Sequence, residues 1–117
     1  MNIAIIGNGK MGKIISKIAE ERGHVITVRS SSKNPTSNFD LKDVDVAIDF
    51  STPDTAFMNI SYVIKKKIPV VSGTTGWTNK LNEIKKLCKH KKSAFLYSPN
   101  FSIGVNLFFK LNTYLAK

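Results

Sequence analysis

Hydrophobic residues along the chain come in two alternating styles, short compact runs and stripes spaced three and four residues apart. The runs "NIAII" (2–6), "HVITV" (24–28), "VDVAIDF" (44–50), "IPVVSG" (68–73) and "SAFLYS" (93–98) read as strands. Between the first two, Met11, Ile14, Ile15, Ile18 and Ala19 recur at the spacing of one helical face, with Gly23 placed to cap the helix. In "TPDTAFMNISYVIKKK" (52–67) Thr52 is the expected N-cap and Pro53 the first helical residue. Leu81, Ile84, Leu87 and Cys88 mark the inward stripe of a third helix. Residues 30–42, rich in Ser, Asn and Pro, read as a loop. Strands apolar on both faces, separated by amphipathic helices, imply an α/β fold with a doubly wound parallel sheet covered on both sides.

The last segment departs from this alternation. Ile103, Leu107, Phe108, Leu111, Tyr114 and Leu115 form a helical stripe, while Val105 and Phe109 add apolar surface on other faces. Such a helix needs cover on more than one side, from further chain or from a second subunit.

Glycine interrupts the aliphatic pattern where the first strand gives way to the first helix. A glycine inside a regular element costs roughly 0.5–1 kcal/mol, yet Gly7, Gly9 and Gly12 fall together as GxGxxG. Strand before, helix after and a second strand on schedule give the pattern its meaning. Gly7 permits a tight turn, Gly9 lets a pyrophosphate approach the backbone, and Gly12 lets the helix pack closely on the strand. The anion would meet free amides at the helix N-terminus.

Composition narrows the picture further. The 117 residues suffice for one core, and no apolar run approaches the about 20 residues of a membrane span. "MNIAIIG" reads as a buried strand and not as a signal peptide, so the cytoplasm is the expected compartment. The lone Cys88 is expected in the core, and His24 and His90 lack metal-ligand spacing, so no metal is expected. The balance of 18 Lys+Arg against 8 Asp+Glu, a net charge of +10, favours anionic partners. Much of that excess lies at Lys65–Lys67 and Lys85–Lys92, at helix ends where cations suit the dipole, without the interleaved aromatics of a nucleic-acid binder.

At the end of the second strand an Asp or Glu would bind the ribose hydroxyls of NAD. The stretch here is Arg29, Ser30, Ser31, Ser32 and Lys33, with no acid. Hydroxyls flanked by cations suit a 2′-phosphate, so NADPH is the expected cofactor, with NADH possible. The loops "DFSTP" (49–53), "GTTGW" (73–77) and "SPNFS" (98–102) follow later strands at their carboxyl ends, where ligands bind in such sheets.

"IGNGKMG" (6–12), "DFSTP", "SGTTGW" (72–77) and "PNFSIGVN" (99–106), in this order and spacing, resemble the cofactor domain of the 4-hydroxy-tetrahydrodipicolinate reductase (dihydrodipicolinate reductase) family. The resemblance spans nearly the whole chain and implies a dinucleotide-binding domain over 1–101 followed, over 102–117, by the first helix of a C-terminal substrate domain. It implies hydride transfer from NAD(P)H to a cyclic, dicarboxylated substrate in lysine and diaminopimelate biosynthesis, usually in a homotetramer. It also implies that Gly7, Asn8, Gly9, Lys10, Met11 and Gly12 hold pyrophosphate, and that Arg29, Ser30, Ser31 and Lys33 choose between NADH and NADPH. Phe50, Ser51, Thr52, Gly73, Thr74 and Thr75 would line the nicotinamide. Thr75 would also touch substrate, and Ser98, Asn100 and Phe101 would complete the cofactor pocket. The family's catalytic histidine pair, lysine and SGT segment match nothing in these residues. The expectation is therefore cofactor binding here, with no catalytic residue in this chain and chemistry completed by residues downstream. The cofactor domain of another reductase, such as homoserine dehydrogenase, aspartate dehydrogenase or pyrroline carboxylate reductase, is the alternative reading, followed by a non-catalytic nucleotide module and then a nucleic-acid binder.

Overall fold

The computed structural model describes residues 1–98. The chain runs β1 (Asn2–Ile6), α1 (Lys10–Glu21), β2 (Val25–Ser30), a 3-10 turn (Thr36–Asn38), β3 (Val46–Asp49), α2 (Pro53–Lys65), β4 (Val70–Ser72), a second 3-10 turn (Thr78–Lys80), α3 (Leu81–Lys91) and β5 (Phe95–Tyr97). All neighbouring strands pair in parallel, in the order β2-β1-β3-β4-β5. The path turns one way from β1 to β2 and the other way from β3 onward. Right-handed crossovers in opposite directions put their connections on opposite faces of a sheet. Accordingly α1 packs on Ile3, Ile5, Val46, Ile48 and Val71, while α2 and α3 pack on Ala4, Ile6, Ala47 and Val70 from the other side.

The doubly wound expectation holds, with particular corrections. The segment read as a plain loop over 30–42 crosses from β2 to β3 on the α2 side, and it buries Thr36 and Leu41 against that core. β2 runs to Ser30, two residues beyond its expected end, because Arg29 and Ser30 stay in register with Ile5 and Ile6 of β1. It is also an edge strand: its burial alternates, and Val25 is exposed.

α1 is rotated relative to the stripe expected from its aliphatic residues. Gly12, Ile15, Ser16 and Ala19 are buried, whereas Ile14 is exposed. The small residues face the sheet because the helix is drawn against the β1 corner, where a Cβ on Gly12 would lie 2.5 Å from the Gly7 carbonyl oxygen. Ser16 tolerates burial by donating its hydroxyl to the Gly12 carbonyl at 2.8 Å. α2 follows the expected signals: Thr52 is the N-cap, Pro53 opens the helix, and Asp54 and Lys65 suit the two ends of its dipole. Gly23, at φ +87°, takes the left-handed position that ends α1. Cys88 is half-buried against the α3-side core, where burial pushes its thiol pKa up. No helix among the described residues is long and apolar enough to cross a membrane.

Candidate functional site

Strand registry aligns one row of residues across the carboxyl edge of the sheet: Ser30, Ile6, Asp49, Ser72 and Tyr97. The first residue after each of four strands bonds back across this row. Gly7 N–H donates to the Ser30 carbonyl, Phe50 to Ile6, Gly73 to Asp49 and Ser98 to Ser72, at 2.9–3.1 Å. Four loops thus leave the sheet at one level, and the winding direction reverses between β1 and β3, where such sheets bind ligands.

The glycine corner is built as its spacing predicts. Gly7 has φ +109°, and a Cβ there would collide with the Phe50 carbonyl oxygen. Gly9 is the N-cap of α1, and a Cβ there would meet nothing within 4 Å. No side chain caps α1 and no acid occupies its first turn, so its leading amides are left for an anion. Above this corner lies a cleft of about 580 Å³. Its walls are Gly7, Asn8 and Gly9, the loop with Ser31, Ser32 and Lys33, and the β3 side with Phe50, Ser51 and Thr52. Among the described residues lining it, Lys33 carries the charge and none is acidic.

Not every expected residue faces this cleft. Arg29 still lies within β2, so strand alternation sends it to the α1 side, where its guanidinium donates to Glu20 at 3.0 Å. Its expected place beside Ser31 and Lys33 is corrected accordingly. Ser30 does line the cleft, but it is buried there and its hydroxyl accepts from Thr36 at 2.9 Å. Lys10 is exposed at the start of α1, and Met11 packs toward the α1-side core. Gly73, Thr74 and Thr75 lie beyond the cleft lining, on the far side of Phe50. A Cβ on Gly73 would strike the Phe50 ring, so glycine is what lets that ring press against the loop. Thr74 is buried with its hydroxyl turned inward, and Thr75 is exposed. Trp77 anchors the same loop: it is buried, donates Nε1–H to the Thr74 carbonyl at 2.7 Å, and meets Phe95 and Tyr97 edge-on. Ser98 ends the described residues; Asn100, Phe101 and the helix expected over 102–117 lie outside them.

Asp49 is a residue that pattern reading did not single out. It is fully buried, and its carboxylate accepts from Ser51, Ser72 and Thr74. Burial pushes its pKa up, and the three hydroxyls pull against that. The available signal was a charge closing an otherwise apolar strand in "VAIDF".

Sheet order, glycine corner and cleft together define a doubly wound domain of the dinucleotide-binding type. The family model described as "Dihydrodipicolinate reductase, N-terminus" matches residues 1–101, and the chain belongs to that family. The 4-hydroxy-tetrahydrodipicolinate reductase of Christiangramia forsetii is 49% identical over 118 residues, covering 99% of this chain and 48% of that protein. The protein of the same name from Archaeoglobus fulgidus is 31% identical over 136 residues, covering 100% of this chain and 52% of its own length. The chain therefore spans about half the length of these curated relatives. In fold it is similar to a Synechocystis biliverdin reductase solved with biliverdin and NADP+, with a TM-score of 0.67 at 9% identity over 83% of this chain and 37% of that one.

Proposed function

We propose that the cleft holds NADPH and that these residues are the cofactor-binding part of a 4-hydroxy-tetrahydrodipicolinate reductase. The observation that carries this reading is the uncapped N-terminus of α1 beneath an open Gly9, at the point where the sheet reverses direction. A diphosphate fits there: main-chain amides point at it and no side chain fills the space. Ser31, Ser32 and Lys33 would hold the adenosine end and its 2′-phosphate, with Lys33 supplying charge-assisted bonds. Phe50, Ser51 and Thr52, backed by Gly73 and Thr74, would line the nicotinamide end, and Thr75 would reach substrate. When bound, the dinucleotide supplies hydride to a small unsaturated dicarboxylate. What this chain adds is orientation of the cofactor, since no histidine or lysine here stands in the family's catalytic pattern. The compartment is the cytoplasm, and the full-length protein assembles as a homotetramer, which sedimentation of the full-length protein would check.

Titration of NADPH and NADH tests the reading. NADPH should bind tighter, and Lys33→Ala should weaken NADPH roughly tenfold, the scale of one lost bond to a charged group, while leaving NADH unchanged. Tighter binding of NADH would overturn the 2′-phosphate assignment.

A further inference from the structure

Asp49 lies under the cleft and outside its lining, yet the fold spends a buried charge on it. Oδ1 accepts from Ser51 Oγ at 2.6 Å, and Oδ2 accepts from Ser72 Oγ at 2.8 Å and Thr74 Oγ1 at 2.9 Å. Two of these hydroxyls have their direction fixed from behind. Thr74 Oγ1 accepts the Ser51 N–H at 2.9 Å, and Ser72 Oγ accepts the Thr74 N–H at 3.3 Å, so each must send its own proton to the carboxylate. Among the described residues Asp49 has hydroxyls for partners and no cation within ion-pair distance. An apolar residue could fill such a site without the cost of burying a charge, so packing alone does not account for the carboxylate.

The groups it ties together belong to two different loops. Ser51 follows β3, Thr74 follows β4, and Ser72 is the rung between them, paired in register with Asp49. The sheet order places these loops on the opposite side of the glycine corner from Ser31 and Lys33. A dinucleotide with its diphosphate at the corner and its adenosine end at Lys33 must carry its other nucleoside toward them.

We propose that Asp49 is a positioning residue of the cofactor site: by clamping Ser51 and Thr74 it sets the spacing of the two loops that receive the nicotinamide half, without touching the cofactor. This rests on the cofactor reading above. Asp49→Ala removes the one acceptor that all three hydroxyls share, and the clamp opens.

The test compares binding of NADPH with binding of adenosine 2′,5′-bisphosphate, which lacks the nicotinamide half, to the 117-residue chain. Asp49→Ala should weaken NADPH roughly tenfold and change the bisphosphate by less than about twofold. Ser72→Ala, which removes a donor from the carboxylate at a buried position away from the cleft, should show the same selective loss to a smaller degree, and it decides the matter if Asp49→Ala fails to fold. Equal losses for both ligands in a folded variant, or none for either, would overturn the positioning role while leaving the cofactor reading intact. A wild-type chain that binds neither ligand would overturn the cofactor reading, and the proposal with it.

Discussion

Gly7 and Gly9 sit two residues apart in one loop and differ in what a methyl group would meet. Alanine at 7 would drive its Cβ into the Phe50 carbonyl at a left-handed φ, so Gly7→Ala should cost about 2 kcal/mol or more in urea unfolding. Alanine at 9 would meet nothing, so Gly9→Ala should cost under about 1 kcal/mol and act instead by occupying the cleft and weakening cofactor binding. A Gly9→Ala chain that bound NADPH normally would contradict the placement of the diphosphate. Asp49 gives a second residue-level expectation. Its folded pKa is raised above the ordinary 3.8, so the protonated form favours the folded chain. That contribution is present below the unfolded pKa and is lost as pH rises through the folded one. The stability of wild type relative to Asp49→Asn should therefore be greatest in acid and should fall as pH rises above the ordinary 3.8, read from urea midpoints.

At the scale of elements, α1 shows how a correct periodicity can carry an incorrect face. Ile14 and Ile15 are equal as letters, but Gly12 and Ser16 decide which of them turns inward, by close approach and by a hydroxyl bond along the helix. Ile15→Ala should cost about 2–4 kcal/mol, whereas Ile14→Lys should stay within about 0.5 kcal/mol. Comparable losses at both positions in denaturant titrations would mean that the helix is packed otherwise. β2 carries a similar lesson: reading it as ending at residue 28 put Arg29 in a loop, while two more residues of ladder place it on the α1 side with Glu20. The glycine loop, the order of strands and helices, and the N-terminus of α2 were legible because each depends on neighbours within one turn or one strand. Asp49 was not, because its partners come from residues 2 to 25 positions away, brought together by the pairing of β3 with β4.

For the whole molecule, the net charge of +10 and the cleft act on the same ligand. A dinucleotide with an extra phosphate is a polyanion, so NADPH affinity should fall with added salt more steeply than NADH affinity. Binding also couples to folding: NADPH at a hundredfold its dissociation constant should stabilise the chain by about 2.7 kcal/mol, seen as a higher melting temperature. Absence of any shift in a folded sample would count against the cleft as the binding site. Trp77, the single tryptophan, lies in the loop that leaves β4 and offers a fluorescence probe of that event. By itself the sequence determined that, over the described residues, five strands and three helices succeed one another and that bare backbone opens the first helix, since hydrophobic period and glycine sterics act locally. Which isoleucine faces the sheet, where Arg29 points, and how one buried carboxylate joins two loops were decided only when parallel pairing set distant residues in register. Those choices depend on contacts between strands, and no single stretch of chain contains them.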